Sequence, residues 1–241
     1  MTKLRTLLLI AVFILTYTTG CGAPITRQAQ AKKALENKYE ETFEITKVYD
    51  NNSVKSQFNA IAHSASRPWI QIYARVENDG SYVEDDYLEK IIGERIAEEI
   101  KRNVRTLNGT YYIYVSTLSG GMGISDTSIS IADYAAFNPK NKFTISMYYA
   151  PHEYSADADT MYDKLSESLH GLEALNGYFF VHVIDEKNLY NMKEYLQTHA
   201  FFDKDEYEPY LKDELKIQIP YSNGHLETTR EEFVEKAGGK Q

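Results

Sequence analysis

One glycine-rich segment of the sequence could bind a phosphate: Ser119-Gly120-Gly121-Met122-Gly123. Phosphate-binding loops carry Gly-Lys-Ser/Thr or a complete G-x-G-x-x-G, because backbone N–H groups must approach the phosphate closely. The first motif is absent, and Asp126 stands where the last glycine of the second would be. We therefore interpret 119–125 as a flexible loop or hairpin, with a mobile binding loop as the alternative. The sequence also lacks the G-x-S-x-G elbow of α/β-hydrolases.

Acidic and histidine side chains form no recognisable metal-binding pattern. An acidic run offers oxygen ligands for Ca²⁺: Asp157, Asp159, Asp163 and Glu167. An EF-hand needs Gly at its sixth position and Glu at its twelfth, where Tyr162 and Ser168 stand, so we expect helix capping and solvated acids. The histidines lack H-x-x-x-H spacing: His63, His152, His170, His182, His199 and His225. We predict no catalytic motif, metal or cofactor, and we expect His182 to be a hydrogen-bonded histidine within an apolar strand.

The best candidate for a binding surface is one face of a strand predicted over 69–76. Its large side chains are Trp69, Tyr73 and Arg75, and an apolar set alternates with them: Ile70, Ile72, Ala74 and Val76. This alternation predicts one buried and one open face. The alternative is that the long helix or a second sheet covers the Trp69 face.

Cys21 is the one cysteine of the chain, and it follows a segment organised for export. Lys3 and Arg5 precede an apolar run over 7–15, and small residues occupy 18–20. This is the layout of a secretory signal peptide. The run is shorter than the roughly 20 residues of a membrane span, so a permanent transmembrane helix is the weaker interpretation.

Thr19, Gly20 and Cys21 resemble the lipobox of bacterial lipoprotein precursors, although Thr18 replaces the aliphatic residue usual in that family. The resemblance implies a diacylglyceryl group on the Cys21 thiol and cleavage between Gly20 and Cys21. Two acyl chains would hold the protein stably on the extracytoplasmic face of the cell membrane. Lipidation would also protect an unpaired exported thiol from oxidation. An ordinary secreted protein with a free Cys21 is the alternative.

Two further segments, 31–45 and Asp85-Asp86-Tyr87-Leu88, resemble exported lipoproteins of low-GC Gram-positive bacteria to which no function is assigned. That resemblance implies no catalytic residues.

The charge of the chain limits its partners. Residues 1–20 carry Lys3, Arg5 and no acid, so their removal changes the net charge from −9 to −11. Nucleic acids and anionic lipid surfaces both require clustered cations, which argues against either as a partner. The 20 tyrosines favour a sheet-rich protein or a binding surface.

Periodicity predicts the elements that position these residues. We expect helices over 31–39, 85–104, 155–175 and 186–198, and a last short helix opened by Thr228 or Thr229. We expect strands over 43–49, 58–63, 69–76, 111–116, 127–134, 143–150, 178–184 and 215–221. Because strands come in runs, the prediction is an α+β fold with mostly antiparallel sheet packed with helices. The predicted segments are 1–20 signal peptide, 21–30 lipidated Cys and tether, and two α+β subdomains over 31–107 and 108–241.

These observations favour a non-enzymatic, membrane-anchored module that binds a protein, peptide or wall component. An envelope hydrolase with scattered acids or histidines stays open, as does an accessory or immunity-type lipoprotein acting on a membrane partner.

Overall fold

The computed structural model describes residues 26–117, 123–137, 139, 142–152, 158–198, 208–211 and 215–238. The helices run over α1 (Arg27–Tyr39), α2 (Tyr87–Val104), α3 (Ile131–Phe137), α4 (Ala158–Ser168), α5 (Glu186–Thr198) and α6 (Arg230–Gly238). The strands are β1 (Phe43–Asp50), β2 (Gln57–Ser64), β3 (Arg67–Glu77), β4 (Val83–Asp85), β5 (Gly109–Thr117), β6 (Phe143–Pro151), β7 (Asn176–Val183), β8 (Leu215–Ser222) and β9 (His225–Leu226). A 3₁₀ turn spans Glu208–Leu211.

The first sheet is an antiparallel meander in the order β1-β2-β3-β4. Its apolar face includes Phe58, Ala60, Ile72 and Val76, which are buried in the core that α1 and α2 share. The alternation of buried and open residues along β3 agrees with the predicted pattern. The strand face that the sequence placed in the core is therefore the one that the helices cover.

The second sheet has the order β5-β6-β7-β8-β9, and every neighbouring pair is antiparallel except β6 and β7. Helix α4 lies between these two parallel strands in sequence, as a crossover connection requires. One face of the sheet packs on the main core. The opposite face packs on α5 through Leu189, Met192 and Leu196.

One apolar cluster includes side chains from both sheets, with Ile91, Ile96 and Ile100 of α2 among its buried members. The α+β class with mostly antiparallel sheet is confirmed. The division into subdomains near residue 107 stays a prediction.

Three predicted elements differ from the structure. Residues 127–134 do not form a strand, because Ser130 caps a helix: its Oγ accepts from Asp133 N at 3.0 Å. The helix expected over 155–175 ends at Ser168, and the following residues form i→i+3 turns up to Leu175. Helix α1 begins at Arg27, so the last four residues of the predicted tether are helical, with Thr26 Oγ1 accepting from Ala29 N.

The predicted caps are partly confirmed. Thr229 and Glu232 form a capping box at α6, each side chain accepting from the other residue's backbone N–H. At α2 the carboxylate of Asp85, rather than that of Asp86, accepts from Tyr87 N. Asp86 instead accepts from Tyr73 N at 2.8 Å and so joins the start of α2 to β3.

Candidate functional site

A cleft of about 470 Å³ lies between the two sheets and is floored by α2. Its walls come from β3, α2, β5 and the end of α5: Trp69, Ile70, Gln71, Lys90, Gly93, Glu94, Ala97, Glu98, Lys101, Tyr112, Ile113, Tyr114, Val115, Leu196 and Gln197. Successive residues of both strands line it. A sheet face presents every second residue, so a run of successive residues shows that the strands border the cleft with their edges.

Strand β5 is the outer strand of its sheet, and among the described strands it pairs only with β6. The Val115 carbonyl points towards α2, since a methyl group added at Gly93 would lie 2.8 Å from its oxygen. Backbone groups of successive residues in an antiparallel strand point to opposite edges. Ile113, two residues before Val115, therefore directs its N–H and C=O away from β6, as Val115 does. Helix α2 therefore covers the edge of β5 at Val115, and the edge at Ile113 borders the cleft.

The β3 edge of the cleft is closed by side chains of α2. The Lys90 ammonium donates to the Gln71 carbonyl and forms an ion pair with Asp86 at 3.0 Å. These contacts occupy the acceptor that β3 would offer to another strand. Within the cleft, the stretch of β5 edge at Ile113 is thus the candidate for pairing.

Trp69 is the one tryptophan of the chain, and 57% of it is exposed. Its indole Nε1 donates to Glu94 Oε1 at 2.6 Å, which fixes the ring beside α2. Burial raises the pKa of Glu94, although the Trp69 hydrogen bond and the charge of Arg67 oppose this effect. The wall thus combines an exposed aromatic ring with a carboxyl group that holds its proton more tightly than usual.

Tyr112 and Tyr114 of β5 also line the cleft, and Tyr112 lies near Glu94. Burial, followed by the charge of Glu94, raises the pKa of Tyr112 to about 12. Burial is also the main cause that raises the pKa of Tyr114. Both phenols therefore stay protonated at neutral pH, and the cleft presents hydroxyl donors along with aromatic rings.

The structure separates the three large side chains that the sequence placed on one strand face. Trp69 lines the cleft, but Tyr73 OH donates to Asn59 Oδ1 at 2.8 Å and Arg75 Nη1 donates to Glu84 Oε2 at 2.9 Å. Those two groups stabilise the outer face of the first sheet. Of the predicted strand face, Trp69 lines the cleft and Tyr73 and Arg75 do not, and its role as a binding surface stays a prediction.

The other sequence-predicted sites lie partly outside the described residues. Cys21 and the cleavage position after Gly20 lie there, as does most of the glycine-rich segment. His182 lies in β7, is 4% exposed and stacks on Tyr148, with ring centroids 4.7 Å apart. Among the described residues, no group of three or more His, Cys, Asp or Glu side chains could hold a metal ion. No helix in the described ranges has the length and apolarity required to cross a membrane.

No family model matches the sequence, and no curated protein matches it. Among solved structures, a DUF5037 family protein from Ruminococcus gnavus ATCC 29149 superposes with a TM-score of 0.67. The similarity covers 89% of this chain and 100% of that chain, at 15% sequence identity. The two proteins share a fold. At this level of identity the likeness to the DUF5037 protein concerns the fold alone.

Replacing Glu94 with glutamine is expected to stabilise the protein at neutral pH by about 0.5 kcal/mol, a small effect because solvent screens a half-buried group. The raised pKa means that folding favours protonated Glu94, so its contribution is present at low pH and lost as the pH rises through the folded-state pKa. Glutamine is neutral throughout and can still accept from Trp69. Urea unfolding at neutral pH and at about pH 4 should show the gain only at neutral pH. An equal gain at both pH values would contradict this account.

Proposed function

We propose that this protein is a lipid-anchored, extracytoplasmic binding module whose cleft beside Trp69 takes an extended peptide. The anchor is supported by residues 1–21 of the sequence. The peptide is supported by one observation above all: four successive residues of the outer strand β5, Tyr112 to Val115, line the cleft. An extended peptide can pair with such an edge as an additional strand, while its side chains contact the flanking pockets.

The remaining walls suit a peptide with mixed side chains. Trp69 and Tyr112 offer aromatic area, which carries much of the affinity in protein interfaces. Glu98 and Lys101 pair with each other at 2.6 Å on the floor, so the cleft has no strong charge of one sign. This composition favours backbone pairing and aromatic contacts over the recognition of a highly charged partner.

The anchor is tested by the intact mass of the protein extracted from membranes, next to a Cys21→Ala variant. We expect the wild-type mass to begin at Cys21 and to include a diacylglyceryl group, and we expect the variant to carry no lipid. An unlipidated mature chain would leave Cys21 as a free thiol. Retention of Met1 would instead make 7–15 part of a membrane helix.

Peptide binding is tested by selection from a random peptide library, with depletion of peptides that also bind Trp69→Ala. We expect recovered peptides to shift the fluorescence of Trp69, the protein's sole tryptophan, and to bind Trp69→Ala at least about tenfold more weakly. Tyr82→Ala is the matched control, because Tyr82 is 56% exposed and lies outside the cleft. Selection that yields no Trp69-dependent peptide contradicts the proposal, and binding of glycans instead would assign the cleft to a wall polysaccharide.

Glu94 gives an envelope hydrolase a specific observation in its favour. A carboxyl group with a raised pKa beside a substrate cleft is suited to general acid catalysis. A hydrolase would cleave the selected peptides, and Glu94→Gln would abolish cleavage while preserving binding. Mass spectrometry of the peptides after prolonged incubation distinguishes the two functions, and we expect intact peptides.

A further inference from the structure

A second, smaller cavity of about 240 Å³ lies on the face of the second sheet that α5 and the 3₁₀ turn partly cover. Hydroxyl groups of Ser116, Thr144 and Ser146 line it, and they come from the adjacent strands β5 and β6. Ser116 pairs with Thr144 across these strands, and Tyr114 pairs with Ser146. The pairing brings the three hydroxyls together on one side of the sheet.

These hydroxyls lack partners within the described part of the chain. Ser146 is only 8% exposed, Ser116 and Thr144 are half-buried, and none of the three side-chain hydroxyls forms a hydrogen bond with another described residue. A largely buried hydroxyl without a hydrogen bond destabilises a protein, so such groups usually have a partner. Three unpartnered hydroxyls that open on one cavity instead provide hydrogen-bond donors for a ligand.

The charge around the cavity favours a negative ligand. Lys216 lines it, with its ammonium group 4.9 Å from the centre of the Phe180 ring, and forms no ion pair with a described carboxylate. None of the described lining residues is acidic, although the chain as a whole has a net charge of −9. Burial, followed by the charge of Lys216, lowers the pKa of His182 to about 3, so His182 is neutral at pH 7 and Lys216 is the cation of the described lining.

The walls and the single cation restrict the ligand further. Phe180, Met192 and Leu211 supply apolar surface that suits a compact hydrocarbon body. One ammonium group matches the single charge of a carboxylate. A phosphate would bring additional charge into a site with no second cation among its described residues, and burying an unpaired charge is costly.

We propose that this cavity binds a small organic carboxylate, with its oxygens at the hydroxyls of Ser116, Thr144 and Ser146 and at the Lys216 ammonium. The apolar body lies against Phe180 and Met192. This site is separate from the Trp69 cleft and does not depend on the proposed peptide function. Tyr114 contributes to the wall of each.

The test is calorimetric and NMR titration of the purified protein with benzoate, using benzamide as the neutral analogue and inorganic phosphate as the multiply charged one. We expect saturable benzoate binding that shifts the Thr144 methyl resonance, with benzamide and phosphate at least about tenfold weaker. Bound carboxylate should also raise the pKa of His182, because a nearby negative charge favours imidazolium.

Two variants make the result specific. Lys216→Met should weaken benzoate binding about tenfold, whereas Lys236→Met, in α6 and away from the cavity, should leave it unchanged. Ser146→Ala should weaken binding while removing the unpaired hydroxyl, so its unfolding midpoint should not fall. The proposal is overturned by equal binding of benzoate and benzamide, by unchanged affinity in Lys216→Met, or by no saturable shift at Thr144.

Discussion

Replacing Asp85 with alanine is expected to lower the free energy of unfolding by about 3 kcal/mol or more. The Asp85 side chain is completely buried and accepts from Lys38 Nζ at 2.8 Å and from Tyr39 OH at 2.7 Å. It also accepts from Tyr87 N at 3.0 Å, so one carboxylate joins α1 to the start of α2. Without it, the Lys38 charge and two donors lose their acceptor inside the protein.

Asp50→Ala is the matched control for this experiment. Asp50 also pairs with a cation of α1, Arg27, but its side chain is 76% exposed. Exposed ion pairs contribute about 1 kcal/mol at most, so this variant should remain within that range of wild type. Urea unfolding of both variants gives the comparison, and similar small losses for the two would show that the buried pair does not hold α1 in place.

A second large effect is expected at Gly177, where Gly177→Ala should lower the unfolding free energy by about 4 kcal/mol or prevent folding. Gly177 has a φ of +155°, and a methyl group there would lie 1.9 Å from the Phe143 carbonyl oxygen. Phe143 is its partner in the parallel pair of β6 and β7. The clash is with backbone, so relief requires separation of the two central strands.

Gly171→Ala separates this steric effect from backbone strain. Gly171 also has a positive φ, +90°, but nothing lies within 4 Å of the added methyl group. Alanine at that position should cost only about 1–2 kcal/mol, the penalty of a left-handed conformation. If thermal and urea unfolding gave equal losses at the two glycines, close strand packing would not be the cause at Gly177.

Local patterns were sufficient for much of the fold. Helix α5 begins and ends where the spacing of Leu189, Met192 and Leu196 predicts, because an amphipathic stripe and short polar flanks define it. The alternation of apolar and polar residues along β3 likewise predicted both the strand and its buried face. In contrast, α3 was missed because Ile129 and Ile131 alternate with serines as in a strand, while the Ser130 cap decides the conformation.

The candidate sites depend on contacts between distant segments. Trp69 could be identified as an exposed aromatic residue, but its position beside Glu94 and Tyr112 follows from how α2 packs between the sheets. No local pattern specifies that packing. The sequence contains one weak indication of the proposed carboxylate cavity. Ser146 lies among apolar residues of β6, and a buried hydroxyl usually has a hydrogen-bond partner. The positions of Ser116 and Lys216 beside it depend on strand order.

Amide hydrogen exchange of β5 tests most directly whether the cleft beside Trp69 holds a peptide strand. With a peptide recovered by Trp69-dependent selection, we expect slower exchange at Ile113 and its neighbours within Gly109–Thr117, because the peptide pairs with their outward backbone groups. A scrambled peptide should leave the exchange of this strand unchanged. Unaltered exchange over β5 at saturating peptide, or protection confined to another edge such as β1, would contradict the account.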